Sequence, residues 1–142
     1  MDAPILKSPD FDKPFILQTD VSELGLGAVL LQQGEDGNLY PISYFSRKLL
    51  ERERHYAVPE KEALSVIWSL NLLRPYLWGR KFTLQTDHRA LVWLQKMKSH
   101  NQKLLRWSLA LQDFDFEVQH IPGRQNVVAD GLSRMYCEYP DN

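Results

Sequence analysis

Four acidic residues that are far apart in the chain have local contexts that suit one shared site. Asp20 and Asp87 each end a short apolar, β-like run, and each follows the dipeptide Gln-Thr. Glu62 lies early in a predicted helix, and Asp130 lies in a predicted final helix. Converging carboxylates repel one another unless a cation compensates their charge, and hard divalent cations prefer oxygen ligands. We therefore predict a metal site formed by these four residues.

The chemistry expected of such a site is phosphodiester hydrolysis. In open α/β sheets, ligands bind at the carboxyl ends of strands, where Asp20 and Asp87 would meet if their strands are neighbours. Two divalent ions about 3.5 to 4 Å apart activate a water and stabilise the leaving oxygen.

Each acid alone also has an ordinary alternative role. An aspartate after a strand often forms a cap or turn, and Glu62 suits the positive end of its helix.

The elements that must position these residues include both strands and helices. Strands are predicted at about 15–20, 28–33, 39–46, 81–87 and 114–119, and helices at about 59–74, 88–95, 101–112 and 126–134. Asp36-Gly37 predicts a hairpin turn, and Pro41 places the third strand at a sheet edge because proline cannot donate to a ladder. This order predicts an α/β fold with a mixed five-stranded sheet flanked by helices.

The composition is that of one ordinary globular domain. The chain has 142 residues, 44% of them hydrophobic and 25% charged, with a formal net charge of -1. This charge excludes a binder that relies on bulk positive charge. The single cysteine and the absence of a membrane-spanning apolar run or a signal pattern favour an intracellular protein, in a cytoplasmic particle or the nucleus, that is neither secreted nor membrane-bound.

Aromatic residues favour a packed core over a nucleic-acid stacking surface. The four tryptophans all fall in predicted helical segments with apolar neighbours. We therefore expect core packing for the whole set, Trp68, Trp78, Trp93 and Trp107.

Six short sequences together resemble a known family. They are Phe15-Ile-Leu-Gln-Thr-Asp-Val-Ser22, Tyr44-Phe-Ser-Arg-Lys-Leu49, Glu60-Lys-Glu-Ala-Leu64, Arg74-Pro-Tyr-Leu-Trp-Gly79, Thr86-Asp-His-Arg-Ala-Leu91 and Pro122-Gly-Arg-Gln-Asn-Val-Val-Ala-Asp-Gly-Leu-Ser-Arg134. Over about residues 3–134 the chain resembles the RNase H domain that follows the reverse transcriptase in gypsy-type LTR retrotransposon polyproteins. The resemblance implies an RNase H-like fold, with strands 1–3 antiparallel and strands 4 and 5 added parallel to strand 1. It also implies a lead-in at 1–14 from the polymerase side, an RNase H domain at 15–134 and a tail at 135–142.

The resemblance implies a metal-dependent endoribonuclease that cuts the RNA strand of RNA/DNA hybrids during reverse transcription. The expected cofactor is Mg²⁺, as two ions, with Mn²⁺ as a possible substitute, and the expected partners are the hybrid and the polymerase domain of the same polyprotein. The family's metal carboxylates fall on Asp20, Glu62, Asp87 and Asp130, whereas Glu60 is expected to be a first-turn helix charge. The alternative is a catalytically inactive structural or nucleic-acid-binding module in a transposon-derived protein, and a third possibility is an integrase-like strand transferase.

Two histidines are candidates for supporting roles. His120 lies ten residues before Asp130, where related RNases H have an auxiliary catalytic histidine. The alternative is a structural histidine, because strict alternation places His120 on the apolar side of the fifth strand. His88 is expected either to support Asp87 from a second layer of contacts or simply to cap the helix that begins there.

The hybrid substrate would need contacts to 2′-hydroxyls and to phosphates. Asn126 is expected either to contact the substrate or to cap the last helix. Basic residues between Lys96 and Arg106 are further phosphate-binding candidates. The individual residues predicted to bind substrate are Ser22, Arg89, Arg124 and Asn126.

Overall fold

A computed structural model describes residues 8–120, apart from the side chain of His88. Its centre is a five-stranded sheet with the strand order β3-β2-β1-β4-β5. The strands β1, β2 and β3 pair antiparallel, and β4 and β5 pair parallel to β1. The mixed sheet predicted from the resemblance is therefore confirmed. The strand bounds are Phe15–Val21 for β1, Gly25–Gln33 for β2, Leu39–Lys48 for β3, Lys81–Thr86 for β4 and Asp115–His120 for β5.

The hairpin between β2 and β3 follows the predicted turn chemistry. Gly37 has a φ of 83°, a left-handed conformation that glycine adopts without strain. Pro41 pairs with Leu31 at a register shift next to Leu30. Its missing N–H is tolerated because β3 is an edge strand, as predicted.

Five α-helices surround the sheet within the described residues. They are α1 (Glu51–Arg54), α2 (Val58–Leu72), α3 (Arg74–Leu77), α4 (His88–Met97) and α5 (Gln102–Gln112), with a short 3₁₀ turn at Lys98–His100. Pro59 lies in the first turn of α2, where its missing N–H has no cost, and Pro75 lies in the first turn of α3 after α2 has ended. The sequence analysis did not predict α1, because four charged residues have no apolar periodicity.

The main core lies between α2 and one face of the sheet. Val66 and Leu70 of α2 pack with Leu17 of β1 and Leu84 of β4. The alternation predicted for β5 is confirmed, since Phe116 and Val118 pack against this core while Asp115, Glu117 and Gln119 are exposed. The opposite face of the sheet has a smaller apolar cluster, formed by Val29 and Leu31 with Ile16 and Tyr44.

The prediction that all four tryptophans pack in the core is wrong for Trp78. Trp68, Trp93 and Trp107 are partly buried against the hydrophobic clusters. Trp78 is 62% exposed, because the one-turn helix α3 ends just before it. Gly79, with a φ of 79°, then turns the chain toward β4.

Part of the predicted lead-in is attached to the domain. The buried side chain of Gln32 accepts a hydrogen bond from the Asp10 N–H at 2.9 Å and donates to the carbonyls of Asp10 and Lys13 at 2.7 and 3.1 Å. Phe11 stacks on Tyr76 with ring centroids 6.0 Å apart. Residues 10–13 are therefore held against the sheet and α3. In the described part of the chain, no helix has the length and apolar character needed to cross a membrane.

Helix α1 depends on a buried ion pair. Glu53 of α1 is 5% exposed, and its two oxygens accept from Nη1 and Nη2 of Arg47 at 2.7 and 3.0 Å. Its Oε1 also accepts from the N–H of Leu50. Burial alone would raise the pKa of Glu53, but the bonds from Arg47 and Leu50 outweigh it and hold that pKa below its usual value.

We predict that Glu53→Ala lowers the free energy of unfolding by about 2–3 kcal/mol, because it leaves Arg47 without its buried partner. Urea denaturation at pH 7 measures this change. Glu51→Ala, at an exposed position of the same helix, is the control and should change stability by less than about 0.5 kcal/mol. The cost of Glu53→Ala should shrink as the pH falls through the lowered pKa of Glu53, and a cost independent of pH would contradict the ion-pair explanation.

Candidate active site

The repeated Gln-Thr-Asp sequences lie side by side on neighbouring strands. Gln18 of β1 is in parallel register with Gln85 of β4, and the Gln18 Nε2 donates to the Gln85 Oε1 at 2.7 Å. One residue further, the Thr19 hydroxyl donates to the Thr86 hydroxyl at 2.9 Å. The residue after Thr19 is Asp20, and the residue after Thr86 is Asp87. The structure thus brings both aspartates to the same end of the sheet, near the carboxyl ends of the neighbouring strands β1 and β4, as the sequence analysis expected.

Asp87 also caps helix α4. Its Oδ1 accepts from the backbone N–H of Arg89 at 2.9 Å, which satisfies one of the free N–H groups at the helix start. The Arg89 guanidinium contacts both carboxylate oxygens, through Nε at 3.1 and 3.2 Å and through Nη2 at 2.7 Å. Hydrogen bonding from Arg89 holds the pKa of Asp87 below its usual value. The Arg89 side chain is 86% exposed, so this ion pair is open to solvent.

Glu62 approaches the same edge from α2. Its side chain is partly buried, and burial together with the charge of Asp87 raises the pKa of Glu62 to about 7, while Arg89 opposes the shift. Glu62 and Asp87 are therefore within electrostatic range of each other, although 25 positions of sequence separate them. Two carboxylates with opposite pKa shifts, from a helix and from a strand end, meet at one site.

The neighbouring Glu60 has a different role. Its Oε2 lies 2.6 Å from Nζ of Lys103, and the same ammonium group lies over the ring of Tyr56, 3.9 Å from its centroid, and over the ring of Trp107 at 5.3 Å. Glu60 is thus paired with a cation from α5 and joins α2 to that helix. This supports Glu62 rather than Glu60 as the site glutamate. Lys103 is engaged in this cluster, whereas the other basic residues of the segment, Lys96, Lys98 and Arg106, are exposed.

His120 lies at the same edge of the sheet. It is the last residue of β5, in parallel register with Thr86, and its side chain is exposed. Its charge is a minor cause, after the hydrogen bonding of Arg89, of the lowered pKa of Asp87. The exposed position differs from that of a buried structural histidine. A catalytic role for His120 stays a prediction.

The remaining predicted residues divide into two groups. Ser22 lies in the turn between β1 and β2, where its hydroxyl accepts from the N–H of Gly25 at 3.1 Å and donates to the Gly25 carbonyl at 3.4 Å. The side chain of His88 is outside the described structure, although its backbone begins α4. Three further predicted residues lie beyond the described range 8–120, namely Arg124, Asn126 and Asp130.

The donor atoms at this edge suit a hard divalent cation. Asp20, Glu62 and Asp87 supply carboxylate oxygens, the ligand type that Mg²⁺ binds in proteins. Between residues 8 and 120, no three His, Cys, Asp or Glu side chains are grouped closely enough to hold a metal ion. The fourth predicted ligand, Asp130, is not among these residues. The four-carboxylate metal site therefore stays a prediction.

Gln85 and Arg89 have contacts at the site that the sequence analysis did not foresee. Gln85 bonds to Gln18 on β1 and to Gln119 on β5, and Arg89 occupies both oxygens of Asp87. A signal for the glutamines was present, because the same Gln-Thr dipeptide precedes both aspartates. No pattern in the sequence indicates that Arg89 turns back onto Asp87.

Comparisons with known proteins agree with this geometry. A family model described as the RNase H-like domain found in reverse transcriptase matches residues 10–114. The chain is 45% identical over 135 residues to the retrovirus-related Pol polyprotein from transposon 297 of Drosophila melanogaster. The match covers 95% of this chain but 12% of that polyprotein, so the chain corresponds to a small part of its relative.

Solved structures with the same fold are more distant in sequence. The foamy viral protease-reverse transcriptase in complex with double-stranded DNA superposes with a TM-score of 0.68 at 17% identity, covering 83% of this chain and 25% of that one. LC11-RNase H1 in complex with an RNA/DNA hybrid gives a TM-score of 0.55 at 17% identity, covering 83% and 92%. These similarities establish the fold, and assignment to the gypsy type stays a prediction. Because the family model covers most of its length, the chain belongs to the RNase H-like domains found in reverse transcriptases.

Proposed function

We propose that this domain is a metal-dependent endoribonuclease that cleaves the RNA strand of RNA/DNA hybrids during reverse transcription. The observation that supports this most strongly is the position of Asp20 and Asp87 near the carboxyl ends of the paired strands β1 and β4, with Glu62 of α2 within electrostatic range of Asp87. A structural role does not require a partly buried glutamate whose pKa is raised by burial and by a neighbouring aspartate. Membership of the RNase H-like family and the hybrid-bound LC11 enzyme of the same fold point to the same substrate.

A pair of divalent cations would complete this site. Asp20, Glu62 and Asp87, together with Asp130, would hold Mg²⁺, with Mn²⁺ as a substitute. When bound, such ions lower the pKa of a water and stabilise the charge on the leaving oxygen. The raised pKa of Glu62 supports this assignment, because it reflects burial and the nearby charge of Asp87, which Arg89 offsets only in part.

The protein's own side chains would prepare the site for a hybrid. Asp87 is kept ionised by Arg89 at neutral pH. Because Arg89 is exposed, its guanidinium can leave Asp87 and bind a phosphate, a geometry for which arginine is well suited. His120, exposed as the last residue of β5, would transfer a proton at the same end of the sheet. The partner that would deliver the hybrid is a polymerase domain in the same polyprotein.

The alternative function is that of a catalytically inactive module. Among the side chains that the structure describes, no three potential ligands are grouped as a ready metal site. An inactive domain would bind hybrid without cutting it. Direct cleavage assays distinguish the two functions.

The first prediction is that Asp87→Asn abolishes cleavage while the fold persists. Asparagine still caps α4, because its side-chain oxygen can accept from Arg89 N–H, but it removes the anionic ligand. Cleavage of a labelled RNA/DNA hybrid, beside matched RNA and DNA duplexes, should fall by at least about 100-fold with Mg²⁺ or Mn²⁺. Asp115→Asn, at an exposed position of β5, is the control and should cleave like the wild type. Full activity of Asp87→Asn would overturn the proposed function.

Arg89→Ala should strengthen binding of the cation alone. In the wild type, a cation must displace Arg89 from both oxygens of Asp87. Because this ion pair is exposed, its loss should tighten Mn²⁺ binding by a modest factor of roughly 2–5. Titration of Mn²⁺ without nucleic acid measures the effect, and Arg52→Ala, also exposed, controls for the change in net charge. Equal Mn²⁺ affinity in wild type and Arg89→Ala would show that Arg89 does not compete with the cation.

Glu62→Gln should stabilise the cation-free protein above neutral pH. The folded pKa of Glu62 is about 7 against a reference value of 4.5, so its charge destabilises the fold increasingly as the pH rises from 4.5 through 7. The variant should therefore gain roughly 1–2 kcal/mol at pH 8, after allowance for solvent screening, and nothing at pH 4.

Urea denaturation with EDTA across this pH range measures the gain from Glu62→Gln. Glu60→Gln is the matched control and should lose stability, because it breaks the pair with Lys103. Added Mn²⁺ should stabilise wild type more than Glu62→Gln. A variant no more stable than wild type at pH 8 would contradict the raised pKa of Glu62.

A further inference from the structure

Three glutamine side chains form a continuous hydrogen-bonded row across the parallel part of the sheet. The Gln18 Nε2 donates to the Gln85 Oε1 at 2.7 Å, and the Gln85 Nε2 donates to the Gln119 Oε1 at 2.8 Å. The three residues are register partners on β1, β4 and β5. We call this row the amide ladder. Gln85 is its central member and uses both ends of its side-chain amide.

The amide ladder replaces packing that an apolar side chain could supply. Gln18 and Gln85 are each 7% exposed. On the other face, the pairs of the same two strands are apolar, Phe15 with Phe82 and Leu17 with Leu84. Apolar contacts tolerate small slips between strands, whereas a buried amide must meet its partner at hydrogen-bond distance and angle. The amide ladder therefore fixes the strand register more sharply than leucines would.

The amide ladder lies next to the candidate active site, because Gln18 and Gln85 each come two residues before one of the aspartates. Side chains two residues apart on a strand lie on the same face, so Asp20 follows Gln18 on the face of the amide ladder. Asp87 comes two residues after Gln85, just past the end of β4. Between them, on the opposite face, Thr19 bonds to Thr86. Both faces of the β1–β4 pair are thus tied together immediately before the carboxylates.

We propose that Gln85 is a positioning residue that sets the spacing between Asp20 and Asp87 through the amide ladder. This inference rests on the proposed function, because the two aspartates matter as ligands of the same cations. Without the Gln85 amide, β1 and β4 remain paired and the Thr19–Thr86 bond remains, but the strand ends lose the restraint on the other face of the sheet. Cation affinity and the turnover rate should then fall, whereas hybrid binding, which depends on other surfaces, should not.

The test compares Gln85→Leu with Gln32→Leu. Both glutamines are buried in the same sheet, at 7% and 4% exposure, but Gln32 bonds to the backbone of Asp10 and Lys13 at the other end of the sheet. Stability, Mn²⁺ affinity without nucleic acid, and kcat and KM for hybrid cleavage are measured for both variants and for the wild type. Both variants should lose stability. Gln85→Leu alone should bind Mn²⁺ roughly tenfold more weakly and lose a similar factor in kcat, with KM within about twofold of wild type.

The outcomes separate this inference from the proposed function. If the wild type binds Mn²⁺ and cuts hybrid but Gln85→Leu matches Gln32→Leu in Mn²⁺ affinity and kcat, the positioning role is wrong and the proposed function stands. If the wild type neither binds Mn²⁺ nor cleaves, both are overturned.

A second variant applies if Gln85→Leu does not fold. The triple replacement of Gln18, Gln85 and Gln119 by leucine leaves no amide without a partner, and such apolar replacements are often neutral for stability. A folded triple variant with wild-type Mn²⁺ affinity would overturn the inference, and one with about tenfold weaker affinity would support it.

Discussion

Parallel pairing of β1 with β4 is the constraint on which the candidate site depends. Hydrogen bonding between the strands places Gln18 beside Gln85 and Thr19 beside Thr86, so β1 and β4 end at the same side of the sheet. Glu62 and Asp87 repel each other at that end of the sheet, and the fold must overcome this cost. The long apolar contacts of α2 with the sheet provide the compensating stability.

The electrostatics of the site are asymmetric. Asp87 has a cationic partner and a lowered pKa, whereas Glu62 is partly buried near a negative charge and has a raised pKa. In the cation-free protein, these opposite shifts let Glu62 take a proton near neutral pH while Asp87 stays ionised. A site of this kind trades stability for binding, because the same residues that destabilise the fold provide affinity for a positive ligand.

Local patterns in the sequence were sufficient for much of the fold and for part of the site. The alternation in β5, the prolines and the Asp36-Gly37 turn have direct physical causes within a few residues, and they predicted the elements correctly. The features that were missed have no signal in the sequence pattern. Helix α1 has no apolar periodicity and is held by the contact of Glu53 with Arg47, and Trp78 is exposed because α3 ends after one turn. The amide ladder joins residues that are far apart in the sequence, whereas the contacts of Arg89 with Asp87 are local but follow from no recognisable pattern.

The attachment of residues 10–13 to Gln32 has a mechanical consequence. Gln32 lies near the start of β1, whereas Asp20 lies near its other end, roughly 17 Å away by the rise of a strand. Tension applied to the chain before residue 10 would load the Gln32 hydrogen bonds and the Phe11–Tyr76 stack before it reached β1. These contacts of residues 10–13 would therefore keep forces that are transmitted along the polypeptide from changing the positions of the carboxylates.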